Sequence, residues 1–157
     1  MKKTLNFTAL GLIVFAATIT SCSKSSLSNN VSNTAAVVAA SIPGTWTITS
    51  YTQRTEDKTS QFAGYVFTFT PAAGGANNGT LAAVKNGTSV NGSWNYSPAV
   101  TYYGSSSTES IVLSMGISTP FDRLSKTWNV VSTSSRQLNL VNPEPLEDEH
   151  LVFTKTP

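Results

Sequence analysis

The chain has 157 residues, with ten Lys and Arg, eight Asp and Glu, one cysteine and one histidine. Only 11% of the residues are charged, so no basic stripe is available to hold nucleic acid. A lone thiol excludes an internal disulfide, and a lone imidazole argues against a multi-histidine metal site or a Ser-His-acid triad.

Lys2 and Lys3 precede an apolar run from Leu5 to Ile19, densest between Leu10 and Ala17. The run is shorter than the ~20 apolar residues of a transmembrane helix. It suits a cleaved signal peptide over residues 1–21. It ends in Ile19-Thr20-Ser21-Cys22, an apolar residue and two small ones before the only cysteine. This pattern resembles the site at which bacterial lipoprotein signal peptides are cut and lipidated. The resemblance implies a diacylglyceryl group on the Cys22 thiol, cleavage between Ser21 and Cys22, and acylation of the new amino terminus. More than one acyl chain is what stable anchoring requires. The expected partner is therefore a membrane, reached through lipidated Cys22. Ser23, where Asp would hold a lipoprotein in the inner membrane, points to the outer membrane. The lack of an acidic cluster after Cys22 points to its periplasmic face. Loss of the leader removes Lys2 and Lys3, leaving eight bases against eight acids and no net charge.

Residues 22–41 read as a lipidated Cys and a flexible linker. Ser, Asn and Ala dominate, there is no aromatic residue, and little apolar surface is available to offset the ordering entropy. Ala35 to Ala40 is expected to form at most a transient helical turn. The folded domain is expected to span 42–157, where β-branched and aromatic runs alternate with Gly, Asn, Pro and Ser clusters. Eight strands are predicted. The first covers Thr45 to Arg54, with Trp46 and Ile48 on one face. The second covers Gly64 to Thr70, where Tyr65, Phe67 and Phe69 share a face in clean period-2 alternation. The third is Gly79 to Lys85, carrying Leu81. Asn86-Gly87 then signals a type I′ hairpin. The fourth is Thr88 to Ser97, with Val90, Gly92, Trp94 and Tyr96 together; Gly92 among large neighbours suggests a bend or bulge. Pro98 to Ser107 is a polar loop containing Tyr102 and Tyr103. Glu109 to Met115 places Ile111, Leu113 and Met115 inward. A short turn is predicted around Phe121 to Leu124. Lys126 to Thr133 carries Trp128 and Val130, and Gln137 to Val141 carries Leu138 and Leu140. Glu149 to Lys155 carries Leu151 and Phe153.

Eight amphipathic strands in a meander close into an antiparallel up-and-down barrel if the first meets the last. The fold expected is all-β, an eight-stranded barrel, with a two-sheet β-sandwich as the alternative. At eight strands the interior is filled by side chains or holds one small ligand.

Gly44-Thr45-Trp46 resembles the Gly-x-Trp signature at the head of lipocalin barrels. The remainder is similar to small lipocalin-like lipoproteins of Gram-negative bacteria. The matching elements are Tyr65-Val66-Phe67-Thr68-Phe69, Gly92-Ser93-Trp94, Leu124-Ser125-Lys126-Thr127-Trp128-Asn129-Val130, and the run from Leu151 to Lys155. The resemblance spans nearly all of Pro43 to Thr156. It implies a barrel and an Arg near the last strand packed on the leading Trp, for which Arg136 and Lys155 are the only candidates, neither in a clear match to the motif.

Chemistry-bearing patterns are sparse. Glu144, Glu147, Asp148 and Glu149 lack the regular spacing of a calcium loop and read as a solvated acidic turn. His150 beside them reads as a rim residue rather than a base or ligand. No Gly-x-Ser-x-Gly and no phosphate loop is present. No catalytic residue, metal or cofactor is expected, although a hydrolase is the third-ranked reading. The candidate ligand-binding residues are aromatic: Trp94, Tyr96 and Trp128 in strands, and Tyr102 and Tyr103 in a loop. The expected function is a membrane-anchored, non-enzymatic lipocalin-like lipoprotein that binds a small apolar molecule or an envelope glycan, with a void opening beside Trp94 or Trp128. The alternative is a structural or interaction protein of the cell envelope with a filled barrel and no ligand.

Overall fold

The structure, a computed structural model, describes residues 29–157; the leader, the Ser21–Cys22 junction and the first part of the linker lie outside the described residues. Helix α1 spans Asn29–Ser41. Eight barrel strands follow: β1 (Gly44–Gln53), β2 (Val66–Pro71), β3 (Asn78–Lys85), β4 (Thr88–Ser97), β5 (Ser110–Ser114), β6 (Thr127–Thr133), β7 (Gln137–Val141) and β8 (Glu149–Lys155). Each pairs antiparallel with its sequence neighbours, and β8 pairs with β1 from Trp46↔Lys155 to Gln53↔Glu149. That last pairing closes the cylinder and removes both edges. The sandwich alternative does not apply.

Period-2 patterning builds the interior. Phe67 and Phe69, Leu81 and Ala83, Trp94 and Tyr96, Ile111 and Leu113, Leu138 and Leu140, Leu151 and Phe153 all point inward and are buried. Fully burying a large apolar side chain contributes about 1.5–3 kcal/mol. The rings meet edge to face, as between Phe69 and Phe153 (5.6 Å, 89°) and Phe67 and Phe153 (5.4 Å, 81°).

Two irregularities re-aim side chains. A register shift between Ile48 and Ser50 changes the parity of β1, so Tyr51 rather than Ser50 joins Trp46 and Ile48 inside. A second shift leaves Val131 exposed on β6. The β3–β4 hairpin turns on Asn86 (φ 51°) and Gly87 (φ 80°), as the dipeptide requires. Gly92 marks a close backbone approach: a Cβ there would lie 2.0 Å from the Ser114 carbonyl oxygen.

The linker expectation is corrected. Residues 29–41 form a thirteen-residue helix, not a flexible coil. Ala35, Val38, Ala39 and Ile42 recur at i, i+3, i+4 and i+7, a helical stripe. Val38, Ala39 and Ile42 are buried with the barrel core. Alanine is the best helix former and costs no side-chain entropy, and docking supplies the rest. The folded unit thus begins before residue 42.

Candidate functional site

The two ends of the barrel are shut by different means. At one end, called here the helix end, β1 starts, β8 finishes, and the loops after β2, β4 and β6 turn. Helix α1 lies across this mouth. Its C-terminus touches β6 and β8, through Ser41 Oγ to Thr133 Oγ1 (3.1 Å) and Lys155 Nζ to the Ser41 carbonyl (3.2 Å). Its middle faces the opposite wall, where Ala35, Ala36 and Ala39 share a cleft of about 290 Å³ with Ala76, Asn77, Tyr96 and Pro98. The Trp46 indole donates to the Ile42 carbonyl at 2.9 Å. Where the resemblance implied an Arg, a lysine packs on this ring: Lys155 Nζ lies 5.0 Å from the ring centroid.

At the other end, the carboxylate end, two short 3-10 helices, Thr59–Phe62 and Phe121–Arg123, push Phe62 and Phe121 into the opening. Their rings are 6.2 Å apart, and Tyr65 meets Phe121 at 5.1 Å. The Trp128 indole donates to the Leu124 carbonyl at 3.0 Å. Beside this plug Glu149 is 1% exposed. One carboxylate oxygen accepts from Tyr51 Oη (2.8 Å); the other accepts from Lys126 Nζ (2.6 Å) and Asn142 Nδ2 (2.6 Å). Burial pushes this carboxyl up, but hydrogen bonds from Lys126, Tyr51 and Asn142 outweigh it and hold the group below its ordinary range. Burial, and then the bond to Glu149, pushes the Tyr51 phenol well above its usual value. Arg123 completes the cluster, donating to Gln53 Oε1 at 3.1 Å.

The reading of Glu149 as part of a solvated acidic turn is therefore corrected. Glu144, Glu147 and Asp148 are at the surface, whereas Glu149 begins β8 on the same face as Leu151 and Phe153. The network fully satisfies a buried charge. His150 sits at the exposed rim, with Nε2 3.2 Å from Asp148 Oδ1. Among the described residues no group of three or more His, Cys, Asp or Glu side chains is placed to hold a metal ion.

The aromatic candidates separate into two classes. Trp94 is 2% exposed and Trp128 is fully buried. Trp94 packs on Phe69 at 6.0 Å, and Trp128 on Tyr51 at 6.4 Å. Tyr96 is buried and donates its hydroxyl to Glu109 at 2.7 Å. Burial and that bond raise its pKa. The Trp94 indole N–H is buried without a hydrogen-bond partner. Tyr102 and Tyr103, by contrast, are 73% and 91% exposed. They cap a small hairpin, Thr101–Tyr102 with Ser105–Ser106, in the β4–β5 loop at the helix end. Their rings contact each other edge to face at 4.4 Å.

No protein-family model and no curated protein matches the chain. Among solved structures it is similar to a lipocalin-like protein from Bacteroides uniformis, at 18% identity and a TM-score of 0.46, over 74% of this chain and 99% of that one. It is also similar to an uncharacterised protein from Bacteroides eggerthii, at 14% identity and a TM-score of 0.44, over 73% of this chain and 98% of that one.

Proposed function

We propose that this chain is a lipid-anchored, non-enzymatic protein of the bacterial cell envelope, moored through Cys22. Its lipocalin-like barrel acts as a filled, rigid head that works through its surface. The observation that carries this reading is the interior. Trp46, Phe67, Phe69, Trp94, Trp128 and Phe153 are all buried in one continuous core, and both mouths are closed. A carrier needs a concave site that buries most of its ligand. One surface cleft, polar and of about 220 Å³, is lined by Gln53, Arg54, Thr55 and Glu56 at the rim of the cylinder. The outer membrane, on its periplasmic face, is the location this reading adopts.

One observation favours a second reading, that of a binder for a small apolar molecule or envelope glycan. The cleft beneath α1 adjoins Tyr96, and the neighbouring Trp94 indole is a buried donor without an acceptor. Lifting α1 would join cleft and barrel.

Two measurements test the proposal. Cys22→Ser is expected to move the protein from the membrane fraction to the soluble one; an unchanged pellet overturns the anchor. Titration of the protein with fatty acids and glycan fragments is expected to leave Trp fluorescence unchanged. A saturable shift overturns the filled head in favour of the second reading.

A further inference from the structure

We infer that the helix end of the barrel lies against the bilayer, with the Tyr102–Tyr103 hairpin seated among the lipid headgroups and the carboxylate end facing away. The inference rests on the anchor reading above and adds an orientation and a contact surface to it.

The first observation is where charge sits. Of the eight acidic residues, Glu56, Asp57, Asp122, Glu144, Glu147, Asp148 and Glu149 all belong to the carboxylate end. Glu109 alone lies at the helix end, hydrogen-bonded to Tyr96. The helix-end loops are otherwise nearly free of charge: 71–78 and 98–108 contain none, and the basic residues there are Arg136 and Lys155. The carboxylate end also carries Arg54, Lys58, Lys85, Arg123 and Lys126, so seven acids against five bases leave it at −2, while Arg136 and Lys155 against Glu109 leave the helix end at +1; an anionic lipid surface thus favours the helix end.

The second observation is the hairpin itself. Its two-residue turn places Tyr103 at φ 47° and Gly104 at φ 80°. The same turn between β3 and β4 uses Asn86, a residue that tolerates the left-handed region. Tyr is bulky and is disfavoured there. Tyr103 is exposed, so no packing into the core offsets that cost. Arg54 (φ 55°) and Asp148 (φ 43°) share this region at the other end, but among the described residues Tyr103 is the aromatic side chain held there. Tyrosine has an apolar ring and a polar tip, the combination enriched at membrane–water interfaces. Val37 on the outer side of α1 and Val100 beside the hairpin add exposed apolar surface at the same end. The carboxylate end also exposes Ile117 and Leu146, but Leu146 stands between Pro145 and Glu147 in the acidic segment.

The third observation is the tether. The described chain enters the barrel through α1, which lies on the helix end. Only the segment 23–28 separates α1 from Cys22, and six residues span at most about 22 Å. Lipid on Cys22 therefore holds this end close to the surface.

The test uses the full-length lipidated protein in vesicles of phosphatidylethanolamine and phosphatidylglycerol. Cys22 is blocked by its lipid, so Tyr103→Cys, Ala73→Cys and Leu146→Cys each give one thiol for an environment-sensitive fluorophore. Spin-labelled lipids are expected to quench the labels at 103 and 73 severalfold more than the label at 146. The contrast is expected to shrink in 1 M salt. In a Tyr102→Ser/Tyr103→Ser background, quenching at 73 is expected to fall toward that at 146. Equal quenching at all three sites, in protein whose mass shows acyl chains on Cys22, overturns the orientation and leaves the anchor standing. A chain without acyl mass overturns the anchor. In that case Cys22→Ser is added to keep a single thiol, and quenching at 103 on added vesicles still supports the surface while its absence overturns both.

Discussion

The two ends of this barrel solve one problem in opposite ways. Each has a tryptophan near the start of a strand that donates its indole N–H to a carbonyl four residues earlier, Trp46 to Ile42 and Trp128 to Leu124. Each thereby ties a lid to a strand. At the helix end the lid is an alanine-rich helix held by Val38, Ala39 and Ile42, small contacts with few charges. At the carboxylate end it is a pair of aromatic plugs over a buried carboxylate with three donors. Apolar contacts between small residues are readily undone and insensitive to pH. A buried charge is costly to strand and responds to protons. The comparison predicts that the helix end opens before the carboxylate end does.

Removing the buried carboxylate is the harshest way to break this contrast. Glu149→Ala strands Tyr51, Asn142 and Lys126 and is expected to cost about 3 kcal/mol, read from the urea midpoint. The pH dependence follows from the depressed carboxyl of Glu149. Its stabilisation is present above the value of an unfolded glutamate, about 4.3. It is lost as pH falls through the lower folded value. Glu149→Gln is therefore expected to flatten the acid limb of the stability curve; an unchanged limb contradicts the assignment.

Opening the helix end is expected to cost less. Ala39→Asp places a carboxylate under α1 and is expected to cost about 1–3 kcal/mol. Amide exchange sharpens the comparison: α1 amides are expected to lose protection while β1 and β8 keep theirs. Simultaneous loss throughout would show that the two ends are one cooperative unit. Trp46→Phe and Trp128→Phe each strand a buried carbonyl and leave a small cavity, and are expected to cost about 1–3 kcal/mol each. The smallest effect is expected for Lys155→Met, about 0.5–1 kcal/mol from the lost cation–π contact over Trp46.

The barrel was legible because a half-buried strand alternates. β4, β7 and β8 run over the residues predicted for them, and the other five differ by two residues or fewer at either end. The single helical turn predicted around Phe121 to Leu124 is present as the 3-10 helix Phe121–Arg123. Three features escaped for identifiable reasons. Tyr51 faces inward only because the shift after Ile48 changes the parity of β1, and no local pattern announces such a shift. Helix α1 has no aromatic residue and is held by tertiary contact, although the spacing of Ala35, Val38, Ala39 and Ile42 carried the signal. Glu149 was visible by parity with Leu151 and Phe153. Its acidic neighbours pointed to solvent, and its donors Tyr51, Lys126 and Asn142 are brought together only by the closed sheet. Among the aromatic candidates, composition could not separate Trp94, Tyr96 and Trp128, inside the cylinder, from Tyr102 and Tyr103 outside it, because burial is set by closure.

The β1–β8 seam joins Trp46 to Lys155, partners 109 positions apart in the chain. Every other barrel-strand pairing links neighbours in sequence, so the meander can assemble hairpin by hairpin while one edge of its first strand waits. A chain emerging amino-terminus first would pair β1 with β2 early but leave the other edge of β1 open until the final segment arrived. Until that segment arrives, the open edge of β1 is a template on which another chain can pair.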